Sequence, residues 1–180
     1  MGIFERLANA IFRTATGDDN KRRVLTLPVA LIFLVFIILL IVAAMLTDRW
    51  LNLPSISSPP WTVVLAVILL LAGIIFYAWT IVNFMSARGT PVPVNPPKEL
   101  VVSGPYAHSR NPMLTSLYLV FFGAGILWGS LSFTVFYTPL FILVNTVYIK
   151  KVEEREMELK FGQAYLDYKK RVPMYFPRFR

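Results

Sequence analysis

The chain has 180 residues, 56% of them hydrophobic, and a mean hydropathy of +0.60. This composition is typical of a single-domain membrane protein and excludes an ordinary soluble enzyme. Its net charge is +8. Because the basic residues flank apolar runs and no nucleic-acid motif is present, anionic lipid headgroups are a simpler partner than nucleic acid.

The numbers of cysteine and histidine residues exclude several kinds of metal and thiol chemistry. Cysteine is absent, and His108 is the only histidine. Disulfides, thiolate catalysis, cysteine-bound metals and histidine-rich metal sites are therefore excluded. Carboxylate ligation alone stays open, and we assign no metal site.

Residues 1–26 are predicted to form an amphipathic and basic N-terminal segment. Within residues 2–15, apolar side chains recur every three or four positions, at Ile3, Phe4, Leu7, Ala8, Ile11 and Phe12. This spacing predicts a short helix that lies in the headgroup region of the membrane.

Four apolar segments follow, at 27–46, 62–85, 113–128 and 131–149. The first is about 20 residues long, enough to cross roughly 30 Å of hydrocarbon. The third is short, and only Gly129-Ser130 separates it from the fourth, which predicts a tight helical hairpin. We therefore expect an all-α, polytopic membrane protein with about four transmembrane helices: two spans within 27–86 and a hairpin within 87–180.

The basic residues predict the orientation of these spans. Of the 18 Lys and Arg residues, only Arg49 lies between spans one and two, and none lies in the hairpin turn. The positive-inside rule then places both termini, and the segment between spans two and three, in the cytoplasm.

That segment, residues 87–112, is polar and contains six of the thirteen prolines. Proline fixes φ and biases its preceding residue towards extended conformations, so the segment should be stiff and non-helical. We call it the strap. At its end, Asn111-Pro112 predicts the start of a helix, since Asn is a favoured N-cap and Pro a favoured first residue. The positive end of this helix, with Arg110 beside it, would form an anion site. The alternative for Arg110 is a positive-inside anchor.

The last segment, residues 150–172, is predicted to be an amphipathic cytoplasmic helix. Its apolar and aromatic residues, spaced by three or four positions, would form a packed face. Glu153 and Glu154 stand where span four leaves the bilayer. They could belong to a solvated charged face, but a carboxylate without a partner near the interface is costly, so it is more often paired or functional.

Two groups of residues in the second half resemble the isoprenylcysteine carboxyl methyltransferase and phospholipid methyltransferase group of integral membrane enzymes. The first comprises Gly89-Thr90-Pro91, residues 96–106 and Arg110-Asn111-Pro112-Met113. The second comprises Glu153-Glu154, Phe161-Gly162, Tyr165, Tyr168, Arg171-Val172-Pro173 and Pro177-Arg178. The resemblance covers about residues 87–180, and it departs from the family pattern at Leu114 and Ser116, where Tyr and Gly are common.

The resemblance implies a membrane methyltransferase that binds S-adenosylmethionine in a cytoplasm-facing pocket built from the strap, the hairpin and the C-terminal helix. It further implies catalytic roles for Arg110 and His108. Cofactor-binding roles follow for Tyr106, Asn111, Pro112, Glu153, Glu154 and Tyr165. His108 is either an interface residue or a proton acceptor.

The acceptor implied by the family is lipidic or prenylated, and carboxyl methylation of an isoprenylcysteine-like compound is the leading hypothesis. Phospholipid amine methylation is the first alternative, and it would require a base, such as His108 or a glutamate. A steroid-reductase-like enzyme that uses NADPH, and a non-enzymatic lipid-binding protein, are further alternatives.

Overall fold

The computed structural model describes residues 2–56, 59–86 and 99–176. Its described residues form seven α-helices and no strand, which confirms the all-α prediction. The helices are α1 (Ile3–Ala15), α2 (Asp19–Trp50), α3 (Pro60–Ser86), α4 (Pro112–Leu127), α5 (Thr138–Tyr148), α6 (Glu154–Phe161) and α7 (Gln163–Arg171). A 3-10 turn covers Gly104–Ala107, and π-helical turns at Phe133–Tyr137 and Ile149–Glu153 flank α5. The proline-rich part of the strap, residues 87–98, lies outside the described residues.

Three helical stretches in the described part of the chain are long and apolar enough to cross a membrane: Val24–Trp50, Pro60–Met85 and Phe133–Phe161. Helix α4, which corresponds to the third apolar segment of the sequence, has only 16 residues. At 1.5 Å per residue it is about 24 Å long, which is shorter than the hydrocarbon core, in agreement with the short segment predicted. The boundaries differ at the C-terminal end, because α6 continues the last span through a π turn. The predicted helix 150–172 is instead broken at Gly162, whose φ is +53°.

The hairpin between α4 and α5 is held from outside by Asp48, near the end of α2. The Ser130 hydroxyl donates to one carboxylate oxygen of Asp48, and the Ser132 backbone N–H donates to the other at 2.9 Å. Gly129 takes a φ of +69° at the turn, a conformation that costs least for glycine. Asp48 therefore caps the returning helix in the way a local N-cap residue would.

The core lies where α2, α4 and the last span meet. A cluster of buried residues fills it: Leu40, Ala44, Tyr118, Phe121, Phe133 and Phe141. The rings of Phe121 and Phe141 are 5.1 Å apart, and Phe36 of α2 stacks on Phe141 at 6.0 Å. These ring contacts fix the positions of the two hairpin helices, from which the site described below is built.

Small residues bring α3 and α4 together along their lengths. A Cβ at Gly73 would stand 2.8 Å from the Ser116 carbonyl oxygen, and one at Gly123 would stand 2.8 Å from the Ala66 carbonyl oxygen. Ala66 and Ser116 are fully buried. Membrane helices without a hydrophobic driving force rely on this kind of close approach. The buried position also explains Ser116, since only a small side chain fits opposite Gly73.

The predicted N-terminal helix is confirmed as α1, and it packs on protein as well as exposing apolar side chains. It contacts α6 and the π turn before it, through the fully buried Ala8 and Ala15. Ile3, Phe4 and Leu7 remain exposed. One face of α1 therefore rests on the helix that carries the glutamates, while another is free for the membrane interface.

We expect Gly73→Val to lower the free energy of unfolding by about 1–3 kcal/mol, because the new side chain must push α3 away from the α4 backbone. The neighbouring substitution Ala72→Val introduces the same side chain at an exposed position and serves as the control. Thermal unfolding in detergent measures both. Equal midpoints for the two variants would contradict the close α3–α4 contact.

Candidate active site

The 3-10 turn at Gly104–Ala107 anchors the end of the strap to the C-terminal helix. The Tyr168 hydroxyl of α7 donates to the Tyr106 carbonyl oxygen at 2.7 Å, and the Tyr106 ring packs on Phe84 of α3 at 5.8 Å. Burial raises the pKa of both phenols, Tyr106 and Tyr168, above their usual range. Both therefore stay neutral, and they act here as anchors between segments.

The start of α4 is covered by the C-terminal segment. As predicted, α4 begins at Pro112 with Asn111 in the cap position, but the Asn111 side chain makes no cap hydrogen bond. Its side-chain and backbone N–H groups both donate to the Met174 carbonyl oxygen, at 3.3 and 3.1 Å. The Arg110 N–H donates to the Pro173 carbonyl oxygen at 2.9 Å. The two backbone N–H groups directly before α4 therefore bind the chain's own carbonyls.

Arg110 and Glu154 form a buried ion pair at the centre of this region, with 2.7 Å between Nη1 and Oε1 and side chains that are 10% and 9% exposed. The second carboxylate oxygen of Glu154 meets Lys169 at 2.6 Å. Arg110 also donates from Nε to the Val172 carbonyl oxygen at 3.0 Å and from Nη1 to the Tyr165 hydroxyl at 3.2 Å. We call Arg110, Glu154 and Lys169 the clasp, because they join the strap to α6 and α7.

The two cations of the clasp keep their charges across the neutral pH range. Burial alone would lower the pKa of Lys169, but its hydrogen bonds to Glu154 and Glu158 outweigh burial and raise it above its ordinary value of 10.5. The same balance, with Glu154 as partner, raises the pKa of Arg110. Burial raises the pKa of Tyr165 to about 12, so its phenol stays neutral. A raised cation pKa means that the stabilising effect is complete below the unfolded-state value and is lost only in alkali.

Three glutamates lie at the end of the π turn at Ile149–Glu153 or directly after it, and their surroundings differ. The wider turn rotates the side chains that follow it, and such turns are frequent at functional sites. Glu154 faces the clasp. Glu156 lies about 200° further around α6, is 2% exposed, and has no hydrogen-bond partner for Oε1 in the described part of the chain. Since α1 packs on α6, we infer that α1 covers Glu156.

Glu153 is the remaining carboxylate of this group, and it is partly buried. Among the residues that the structure describes, no hydrogen bond or ion pair holds it. Its charge nevertheless reaches Arg110 and Tyr106, which places it beside the clasp. Of the predicted pair, Glu153 is therefore the glutamate that no described residue engages in a hydrogen bond or an ion pair.

A cavity of about 570 Å³ opens next to the clasp. Four basic side chains line it, namely Arg110, Lys150, Lys169 and Lys170, together with the carboxylate of Glu154. The rest of its wall comes from Thr146 of α5 and from the segment 172–175. The Tyr175 hydroxyl is 2.8 Å from Thr146 Oγ1 and 3.4 Å from the Tyr118 hydroxyl, so this segment is anchored to both hairpin helices.

The structure brings together most of the residues predicted from the sequence, in different roles. Arg110 and Glu154 line the cavity. Glu153 does not line it but lies within electrostatic reach of Arg110. Tyr106, Asn111, Pro112 and Tyr165 are buried behind the cavity wall, where they support the clasp and the start of α4. His108 is exposed and does not line the cavity. Its role as a proton acceptor stays a prediction.

Sequence reasoning missed Lys150, Lys169 and Tyr175. One sequence pattern is relevant to Lys169. Glu154 and Glu158 lie four residues apart, on one face of α6, and form a pair of carboxylates that a lysine could bridge. In the structure, Lys169 contacts both. No pattern in the sequence marks the Met174 carbonyl oxygen. Leu114, one of the two departures from the family pattern, packs against the hydrophobic core.

The fold and the cavity identify the chain as a helical membrane protein with a charged binding site at the end of its spans. Comparison with known families is more specific. The family model described as phospholipid methyltransferase matches residues 61–164. The chain belongs to this family. The match covers α3, the hairpin and most of the clasp, which confirms the resemblance found in the second half of the sequence.

A curated relative is similar to part of the chain. Methanethiol S-methyltransferase 2 from Bradyrhizobium diazoefficiens is 37% identical over 76 residues, which cover 41% of this chain and 27% of that protein. The chain thus matches only about a quarter of the relative's length. No solved structure shows significant similarity to the chain.

We expect Arg110→Lys to keep the charge of the clasp but lower the free energy of unfolding by about 1–3 kcal/mol. A lysine ammonium cannot reach Glu154, Tyr165 and the Val172 carbonyl oxygen at once, as the guanidinium does. Hydrogen exchange should also become faster in residues 172–176, which Arg110 helps to hold.

The matched control is Arg155→Lys on the same face of the membrane. Arg155 is 57% exposed and meets Glu158 at 3.5 Å, so its exchange for lysine should change stability by less than about 0.5 kcal/mol. If thermal unfolding and hydrogen exchange respond equally to both substitutions, the clasp does not hold the C-terminal segment.

Proposed function

We propose that the protein is a membrane methyltransferase that uses S-adenosylmethionine and methylates a lipidic acceptor with an anionic group, most simply the carboxylate of an isoprenylcysteine-like compound. The observation that carries this proposal is the cavity: four basic side chains and one carboxylate line it, at the membrane-surface end of the last span. Membership of the phospholipid methyltransferase family supports methyl transfer as the reaction.

The residues around the cavity fit this cofactor. Its volume lies within the range of about 300–1,000 Å³ common for small-molecule sites. The cofactor carries an ammonium group, ribose hydroxyls and a carboxylate. Glu153 is the free carboxylate for the first two, and the basic lining suits the third. Glu154 is already held by Arg110 and Lys169, so its role would be to keep those two cations in place.

The bound cofactor would supply a methyl group from a sulfonium, whose carbon–sulfur electron pair returns to sulfur as the acceptor's lone pair forms the new bond. The protein's task is to align the acceptor and exclude water. Among the described residues that line the cavity, the one carboxylate is engaged in two ion pairs, and no histidine is present. No lining side chain is therefore poised as a general base.

This lack of a base in the described lining favours an acceptor that is already ionised. A carboxylate, with a pKa of roughly 3–4, is ionised at neutral pH and is attracted by the basic lining. A protonated amine would be repelled by the same cations and would first have to lose a proton. Phospholipid amine methylation therefore has weaker support from the cavity than carboxylate methylation.

A thiol acceptor is the second candidate, and the relative named methanethiol S-methyltransferase 2 favours it. Neighbouring cations lower the pKa of a thiol and increase its thiolate fraction. Arg110, Lys150 and Lys169 would act in this way on a thiol in the cavity. Methylation assays with a farnesylcysteine analogue and a small alkyl thiol distinguish the two acceptors.

We also propose that both termini and the cavity face the cytoplasm. The support is the distribution of basic residues, since Arg49, in the last turn of α2, is the only Lys or Arg at the other end of the spans. A reporter fused after Arg180 tests this orientation, and a reporter signal from outside the cytoplasm would reject it.

We expect the purified protein to bind S-adenosylmethionine and its demethylated product, and not to bind NADPH. The basic side chains that line the cavity suit the carboxylate of the cofactor, and Glu153 beside the clasp suits its ammonium group. Isothermal calorimetry in detergent measures all three ligands. Binding of NADPH alone would favour a reductase, and binding of none would favour a lipid-binding protein without this cofactor.

We expect Glu153→Gln to weaken S-adenosylmethionine binding by about 1–3 kcal/mol, the cost of losing a charge-assisted hydrogen bond at a partly buried site. Glu5→Gln, at an exposed carboxylate on α1, should leave this affinity unchanged and is the control. Calorimetry on both variants decides, and an equal loss in Glu5→Gln would mean that the effect of Glu153→Gln is not specific to the site.

A further inference from the structure

Lys150 differs from the other three basic residues that line the cavity. Arg110 is paired with Glu154, Lys169 with Glu154 and Glu158, and Lys170 with Asp167 at 3.3 Å. Among the residues that the structure describes, Lys150 has no ion pair or hydrogen bond. The role of holding an external anion, expected for Arg110 from the sequence, is therefore open at Lys150.

Lys150 also stands at the boundary between the cavity and the bilayer. It lies at the membrane-surface end of the last span, in the π turn that follows α5. Thr146, about one turn deeper on the same helix, lines the same cavity. Below Lys150, Val147 and Leu143 are 42% and 60% exposed, and their spacing of four residues puts them on one stripe of the helix.

We propose that Lys150 selects the acceptor by binding the anionic headgroup of a lipid whose hydrocarbon chain lies along the Leu143–Val147 stripe of α5. The inference rests on the proposed function in treating the cavity as the place of methyl transfer. The lysine supplies a positive charge at headgroup depth, and the stripe supplies an apolar surface below it. A lipidic carboxylate or phosphate is complementary to both.

The arrangement gives the lipid a defined position. A chain held along α5 cannot rotate its headgroup away from the cavity without losing contact with the stripe or with Lys150. The anionic group is thereby kept beside the clasp, where Arg110 and Lys169 already hold Glu154. This placement supplies the alignment that a methyl transfer requires.

Lys151 provides a matched control for a simple membrane anchor. It is also exposed, lies at the same depth, and does not line the cavity. An anchoring lysine acts through its charge at the membrane surface, so loss of either residue would then have the same effect. A lysine that binds a lipid headgroup in the cavity acts through its position, so only Lys150 would matter.

The test is calorimetric binding of soluble probes to the full-length protein in neutral detergent. The probes are decanoate, dihexanoyl phosphatidate, inorganic phosphate and neutral dihexanoyl glycerol. We expect the wild-type protein to bind decanoate or dihexanoyl phosphatidate more tightly than the other two. Lys150→Gln should weaken this binding by about tenfold or more, whereas Lys151→Gln and Lys150→Arg should retain it.

Several results would overturn the assignment. They are equal losses in Lys150→Gln and Lys151→Gln, binding of the neutral probe as tight as that of the anionic lipids, and binding of inorganic phosphate as tight as that of phosphatidate. The last result would indicate a site for free anions instead of lipids. A loss of binding in Lys150→Arg would show that charge at this position is not what the lipid recognises.

Affinity for S-adenosylmethionine, measured on the same variants, separates this inference from the proposed function. If that cofactor does not bind the wild-type protein but lipid binding depends on Lys150, the methyltransferase proposal fails and the lipid site stands. If the cofactor binds and lipid binding does not depend on Lys150, the lipid site fails and the methyltransferase proposal stands.

Discussion

The arrangement of the site depends on the two bonds that the Glu154 carboxylate makes, one to Arg110 and one to Lys169. They connect three segments that are far apart in the sequence: the end of the strap, α6 and α7. Burying a carboxylate that is 9% exposed is costly without partners, and two cations remove much of that cost. The same bonds leave Arg110 oriented so that its Nε can hold the Val172 carbonyl oxygen.

The clasp also determines how the other charges around it are used. Glu154 balances the charge of Arg110 and shares Lys169 with Glu158. The excess of positive charge in the cavity therefore comes from the other two lining lysines, Lys150 and Lys170. Glu153, directly before it in the sequence, lacks such a partner among the described residues. The π turn thus ends on a carboxylate that no described residue engages, and the next residue is the carboxylate that holds the clasp.

Much of the fold could be predicted from the sequence because the bilayer imposes simple length and polarity constraints. The apolar runs gave the spans, Pro112 marked the start of α4, and Gly129 marked the hairpin turn. Helix boundaries at the membrane surface were less predictable. Polar residues such as Lys150 and Glu153 continue the last span beyond the hydrocarbon, and the sequence has no clear signal for the π turn that allows this.

The site itself was predicted in its residues but not in its contacts. Arg110 and Glu154 are 44 positions apart, and charge alone does not tell which of the neighbouring glutamates Arg110 will meet. The Met174 carbonyl oxygen accepts three hydrogen bonds, two from Asn111 and one from Ser109. A backbone carbonyl has no residue-type signature, so this cover over the start of α4 could be found only in the structure.

The cavity lies at the membrane-surface end of the last span, and this position determines which of its polar side chains need a partner. Thr146 and the Tyr175 hydroxyl satisfy each other at its deeper end, where an unpaired polar group would be costly. At its outer end, headgroups and water can solvate a free ammonium, so Lys150 can remain unpaired at little cost while the guanidinium of Arg110, further inside, must have its partners. Of these two cations, the deeper one is therefore paired, and the outer one has no partner among the described residues, at the end of the cavity that a lipid would reach first.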